Sequence, residues 1–89
     1  MFTKNIEAFK AMGSEPRQLI LQTIHEGTTN PGKISRKLAM PRSTVEKHLR
    51  TLLQAKLITK QPILNEKQRI SVSYTINQLA YQLRDTVDK

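Results

Sequence analysis

The chain has 89 residues, of which 37% are hydrophobic and 25% are charged, and its net charge is +8. This length predicts a single domain, residues 1–89, with a small core. The sequence contains no cysteine, which excludes disulfides, thiolate metal sites and cysteine nucleophiles, and its apolar stretches are too short to span a membrane.

The excess positive charge lies in the middle of the chain. Residues 33–69 contain ten Lys and Arg against two acids, whereas the flanking segments contain five of each sign. A surface charged only for solubility would carry its charge more evenly. The concentration therefore predicts one basic face that neutralises the phosphates of a nucleic acid.

Two amphipathic helices are predicted at the beginning of the chain. A first helix over residues 1–12 is indicated by apolar side chains at helical spacing, namely Phe2, Ile6 and Phe9. Ser14 is a suitable N-cap for a second helix, which tolerates proline in its first turn. This second helix is expected to end at Gly27.

Two shorter helices follow and are separated by a tight turn. Asn30 and Pro31 form a start signal for the third helix, because asparagine caps helices and proline fits the first helical position. Pro41 interrupts the helical pattern, and the fourth helix is predicted from about Arg42 to Ala55.

After the fourth helix the hydrophobic period changes from helical to alternating. Residues 57–60 predict a short strand, and apolar and polar side chains alternate strictly over residues 70–77. A loop over residues 61–68 with a polar tip at Asn65 and Glu66 completes a β-hairpin, and Asn77 can cap a last helix over residues 77–89. The predicted fold class is mainly α with a small β-hairpin. The sequence does not explain the apolar bulk in the loop, at Pro62, Ile63 and Leu64.

The fourth helix has two different faces. Its apolar side chains share one side of a helical wheel: Val45, Leu49, Leu52 and Leu53. Polar and cationic side chains lie almost opposite: Ser43, Lys47, Arg50 and Gln54. The helix follows a turn of three or four residues, which is the arrangement of a helix-turn-helix whose second helix enters the major groove of DNA. A solvated amphipathic helix would show the same pattern, but the charge distribution and the hairpin, which would act as a wing, favour DNA binding.

Three segments resemble the ArsR-type winged helix-turn-helix transcriptional regulators: residues 12–21, 34–38 and 42–49. The most specific parts are GSEPR and STVEKHL, and the resemblance covers about residues 6–76. It implies a homodimeric, sequence-specific regulator that binds double-stranded operator DNA and acts in the cytoplasm, at the nucleoid. In that family the terminal helices pair across the dimer, which implies an interface at Phe2, Ile6, Phe9, Leu79, Leu83 and Val87. Packing within one chain is the alternative for these residues.

Candidate DNA contacts lie on the third and fourth helices and on the wing. Base edges are assigned to the side chains near the start of the fourth helix: Arg42, Ser43, Thr44 and Lys47. Backbone phosphates are assigned to Arg36, Lys37, His48, Arg50, Lys60, Lys67, Gln68 and Arg69.

Neither metal sensing nor catalysis is expected. The metal-sensing members of the family use cysteines near the third helix, or Asp and His pairs in the last helix. Here the last helix has Asp85 and Asp88 without a histidine, so we predict neither a metal nor a cofactor. His25 suits the dipole at the end of the second helix, and His48 lies beside the core face of the fourth. No nucleophile is indicated between these two histidines, so an enzyme is not expected.

A different class of function remains open from the sequence. Winged helices also serve as nucleic-acid-binding or protein-interaction subunits of larger transcription or replication assemblies, without operator specificity. The hydrogen-bonding pair Ser43 and Thr44 favours sequence reading, because a purely electrostatic surface could use lysine throughout.

Overall fold

The protein, seen in a computed structural model, is described at residue 8 and residues 10–87, with side chains up to residue 83. Residues 8 and 10–12 are helical and form the described part of α1. The remaining elements are α2 (Glu15–His25), α3 (Pro31–Leu38), α4 (Arg42–Gln54), β1 (Ile58–Leu64), β2 (Ile70–Ile76) and α5 (Gln78–Val87). Four helices, an antiparallel hairpin and a final helix form a winged helix-turn-helix, which confirms the predicted fold class. No helix among these residues is long and apolar enough to cross a membrane.

The ends of α2, α3 and α4 share one backbone motif. Each helix is followed by a residue with positive φ: Gly27 at 109°, Ala39 at 53° and Lys56 at 62°. The N–H of this residue and the N–H of the next residue bond back to carbonyls of the last helical turn, as in a Schellman motif. The predicted end of α2 at Gly27 is confirmed, whereas Ala39 and Lys56 carry a side chain in a conformation that favours glycine.

The core lies where α2, α3 and α4 meet the base of the hairpin. Its fully buried side chains come from each of these elements and include Ile20, Ile34, Leu49, Leu52 and Leu57. Burial of each such side chain contributes about 1.5–3 kcal/mol relative to exposure. The predicted apolar face of α4 is confirmed, since it supplies Val45, Leu49 and Leu52 to this core and Leu53 packs against it.

The wing is longer than the sequence suggests. The strand predicted at residues 57–60 runs over Ile58–Leu64, and the predicted loop at residues 61–68 shrinks accordingly. Two hydrogen bonds flank the strands, from Asn65 N–H to Arg69 O and from Asn77 N–H to Leu57 O. With the observed register, they show that the odd-numbered residues of β1 are the ones that form hydrogen-bonded pairs with β2. Pro62, opposite Val72, lies between them, so its missing N–H costs the hairpin no bond.

The apolar residues left unexplained by the sequence extend the hairpin. Pro62, Ile63 and Leu64 all belong to β1. Leu64 lies opposite Ile70, and the two side chains are 66% and 80% exposed. Apolar surface therefore lies at the tip of the wing.

Two predicted caps behave differently in the structure. Ser14 occupies the N-cap of α2, but its side chain makes no capping bond. The side chain of Asn77 donates to the Lys56 carbonyl at 2.9 Å and accepts from Thr59 Oγ1. Asn77 therefore joins the base of the wing to the end of α4, and its backbone carbonyl accepts the N–H of Ala80.

Candidate nucleic-acid interface

The turn between α3 and α4 is held by short-range hydrogen bonds. Ser35 Oγ donates to the Met40 carbonyl at 2.5 Å, and the Met40 N–H donates to the Ser35 carbonyl at 3.1 Å. The N–H of Val45 donates to the Pro41 carbonyl and closes the first turn of α4. With Ala39 in the left-handed region, these bonds fix the direction in which α4 leaves α3.

The outward face of α4 is polar and cationic. Ser43, Lys47 and Arg50 are exposed, whereas Val45 and Leu49 on the opposite face are buried. The spacing of four and three residues places the exposed side chains along one line of the helix. Thr44, also assigned to a base edge, is half-buried.

Arg42 and Arg36 point toward the start of α3. Arg42 Nη1 lies 3.5 Å, and Arg36 Nη1 3.8 Å, from the position that a Cβ on Gly32 would occupy. Arg42 Nε is also 3.8 Å from Glu46 Oε1. The structure thus brings together two arginines to which the sequence assigned separate roles.

His48 lies at the edge of the core and contacts α2. Its Nδ1 is 3.5 Å from Arg17 Nη1. Burial, and then the nearby charges of Arg17 and Lys47, lower the pKa of His48. Because arginine can only donate, Nδ1 accepts and the remaining proton lies on Nε2. His48 is therefore arranged as a neutral donor, and it adds no positive charge to the interface at neutral pH.

Arg17 is a connecting residue that the sequence does not reveal. Its Nε donates to the Ala11 carbonyl at 2.6 Å and its Nη2 to the Lys10 carbonyl at 3.3 Å. Together with the contact to His48, these bonds connect α1, α2 and α4. No pattern in the sequence indicates this role, because an arginine in a first helical turn is usually solvated.

Asn30 joins the helix-turn-helix to the wing. Its Oδ1 accepts the backbone N–H groups of Gly32 at 3.0 Å and Lys33 at 3.2 Å, which confirms the predicted N-cap. Its Nδ2 donates to Ser71 Oγ at 3.0 Å and to the Val72 carbonyl at 3.4 Å. Sequence capping rules identify only the first half of this arrangement.

A second connection lies next to Asn30. The carbonyl of Thr29 accepts the Tyr74 N–H at 3.0 Å, and the Oγ1 of Thr29 accepts from Ser73 Oγ at 2.9 Å. Burial, followed by the charge of Glu46 on α4, raises the pKa of Tyr74. These bonds hold β2 against the segment that leads into α3.

The remaining predicted phosphate contacts are at the surface. The wing contributes Lys60, Lys67, Gln68 and Arg69, all exposed. At the tip, Asn65 Oδ1 accepts the N–H groups of Lys67 and Arg69, which orders the loop that carries them. Lys37 is exposed on α3, where its Nζ lies 3.8 Å from Glu26 Oε1.

The residues assigned to a dimer interface are only partly described. Phe2, Ile6 and Phe9 lie outside the described residues, as does the side chain of Val87. Leu83 is 7% exposed and Leu79 packs against the core of the same chain, which leaves these two little surface for a partner. On α2, His25 Nδ1 lies 3.0 Å from Tyr81 Oη of α5, with the two rings edge to face.

Within the described part of the chain, no three His, Asp or Glu side chains form a group that could hold a metal ion.

Comparison with known proteins agrees with the fold. The family model of the helix-turn-helix domain matches residues 12–61, from the end of α1 into β1. No curated protein matches the sequence.

Proposed function

The chain belongs to the helix-turn-helix domain family, and on this premise we propose that it is a sequence-specific transcriptional regulator that binds double-stranded DNA. The observation that carries the proposal is the division of α4 into a buried apolar face and an exposed face with Ser43, Lys47 and Arg50. The ArsR-type resemblance of residues 12–21, 34–38 and 42–49 supports membership of that group of winged regulators.

In the proposed complex, α4 lies in the major groove, which accepts an α-helix. Ser43, Thr44 and Lys47 near its N-terminal end contact base edges, since hydroxyl and ammonium groups pair with the acceptors exposed there. Each good bidentate base contact discriminates by about 1–3 kcal/mol. The exposed cations Lys60, Lys67 and Arg69 place the wing against the phosphates.

We further propose, from the ArsR-type resemblance, that two copies of the chain bind together through Phe2, Ile6 and Phe9 of the N-terminal segment, since Leu79 and Leu83 pack within their own chain. Two recognition helices roughly 34–36 Å apart then reach successive major grooves of a pseudo-palindromic site. Size-exclusion chromatography with light scattering tests this directly, because a dimer has twice the 10.2 kDa mass of the chain. A mass of one chain at micromolar concentration would contradict the dimer and leave DNA binding to be tested separately. Neither a cofactor, a metal nor a catalytic step is part of the proposal.

Fluorescence anisotropy tests sequence reading. The probe is a labelled duplex selected by the protein from a random pool, with an unrelated duplex of equal length as competitor, at rising salt. We expect Lys47→Ala to weaken binding to the selected duplex more than to the unrelated one. Lys10→Ala, an exposed cation on α1, is the matched control and should leave both affinities unchanged. An equal loss of affinity on all duplexes would instead indicate a subunit of a larger assembly that binds nucleic acid through charge alone.

A further inference from the structure

Two arginines from the two helices of the helix-turn-helix converge above Gly32. A Cβ added to this glycine would lie 3.5 Å from Arg42 Nη1 and 3.8 Å from Arg36 Nη1. The residues are on different helices, and both side chains are exposed. Their guanidinium groups therefore border one small space that is open to solvent and has Gly32 as its floor.

This convergence of like charges is only partly balanced within the protein. Glu46 lies 3.8 Å from the Nε of Arg42, while Arg36 pairs with no acidic side chain in the described part of the chain. The space between the two groups therefore has a positive potential that an anion would relieve.

The neighbouring polar groups are already occupied. The N–H groups of Gly32 and Lys33 donate to Asn30 Oδ1, so an anion here would be bound through the guanidinium groups. A guanidinium offers paired N–H donors that match the two free oxygens of a phosphodiester. A bound phosphate could accept from both arginines at once.

We propose that Arg36 and Arg42 together bind a single phosphate of the DNA backbone, at a site that we call the phosphate seat. This inference rests on the proposed function. Arg42 is then a positioning residue that fixes α4 in the groove, and base reading falls to Ser43, Thr44 and Lys47. Gly32 adds no side chain to this space, and a Cβ at that position would lie at ordinary van der Waals distance from both guanidinium groups.

The test compares Arg36→Ala, Arg42→Ala and the double variant by anisotropy, on the selected duplex and on an unrelated duplex, from about 50 to 200 mM salt. Each single variant should lose affinity about tenfold on both duplexes alike. The plot of log affinity against log salt concentration has a negative slope. The double variant should make this slope less steep by about one unit and not two, because both charges act on one phosphate. Far-UV circular dichroism checks that each variant is folded.

Two further variants make the result specific. Arg36→Lys keeps the charge but removes the paired N–H donors of the guanidinium, so it should still weaken binding to both duplexes. Pairing Arg42→Ala with Arg69→Ala, a cation on the wing, should multiply the two single losses, since these residues contact different phosphates.

Three results would overturn the phosphate seat while leaving DNA binding intact. They are loss of affinity by Arg42→Ala on the selected duplex alone, losses that multiply in the Arg36 and Arg42 double variant, and normal binding by Arg36→Lys. If the unaltered protein binds neither duplex, the proposed function fails and the seat fails with it.

Discussion

Replacing Asn30 tests separately the two pairs of hydrogen bonds that its side chain makes. Its Oδ1 caps α3 through two N–H groups, and its Nδ2 reaches Ser71 and Val72 of the wing. Loss of an N-cap costs about 1 kcal/mol, and loss of the bonds to β2 costs about another 1 kcal/mol. Asn30→Ala should therefore lower the free energy of unfolding by about 2 kcal/mol, which is a large share of the stability of a chain this small.

Asn30→Ser is the matched variant, because serine caps a helix about as well as asparagine but is too short to reach the wing. It should cost about 1 kcal/mol, and combining it with Ser71→Ala should show a coupling of at least about 0.5 kcal/mol. Urea denaturation followed by far-UV circular dichroism measures each value. The reasoning is refuted if Asn30→Ser and Asn30→Ala are equally destabilised, since the cap would then contribute nothing, or if neither differs from the unaltered protein.

Three other substitutions test separate parts of the structure. Ala39→Gly should raise the free energy of unfolding by about 0.5–1 kcal/mol in urea titrations, because Ala39 has positive φ. Ala55→Gly, at a φ of −81°, is the control and should lower it; stabilisation by both or by neither would contradict the assignment of strain. Since burial and two neighbouring cations lower the pKa of His48, the unfolded chain binds a proton first as pH falls. Stability should therefore decline below about pH 6.5, and His48→Gln should remove that part of the decline; an unchanged pH profile would show that His48 is not responsible. Lys67→Ala should weaken binding to all duplexes equally and make the slope of log affinity against log salt less steep by about one unit. A loss of affinity confined to one sequence would instead show that Lys67 contacts a base.

Local signals in the sequence are sufficient for α2 to α5 and for the exposed face of α4. Asn30 and Pro31 mark the start of α3 because capping depends on neighbouring residues alone. The apolar spacing of α4 identified Val45 and Leu49 as buried for the same reason. These features need no knowledge of the rest of the fold.

Features that depend on tertiary placement were not predictable in this way. Pro62 argues against a strand unless the register is known, so β1 was expected to end too early. The meeting of Arg36 and Arg42 depends on the angle between α3 and α4, and the contact of Arg17 with His48 depends on packing between α2 and α4. Positive φ at Ala39 has no signal in the residue type.

Pro62 has a consequence for how molecules of this protein behave beside one another. Leu64 and Ile70 leave apolar side chains exposed at the wing tip, close to the edge of β1 that faces away from β2. Exposed strand edges recruit strands from other molecules, and proline or lysine on the edge prevents it. Pro62 removes a donor from that edge and Lys60 adds a charge two residues earlier. The wing is thereby protected from strand-to-strand aggregation between copies of the chain.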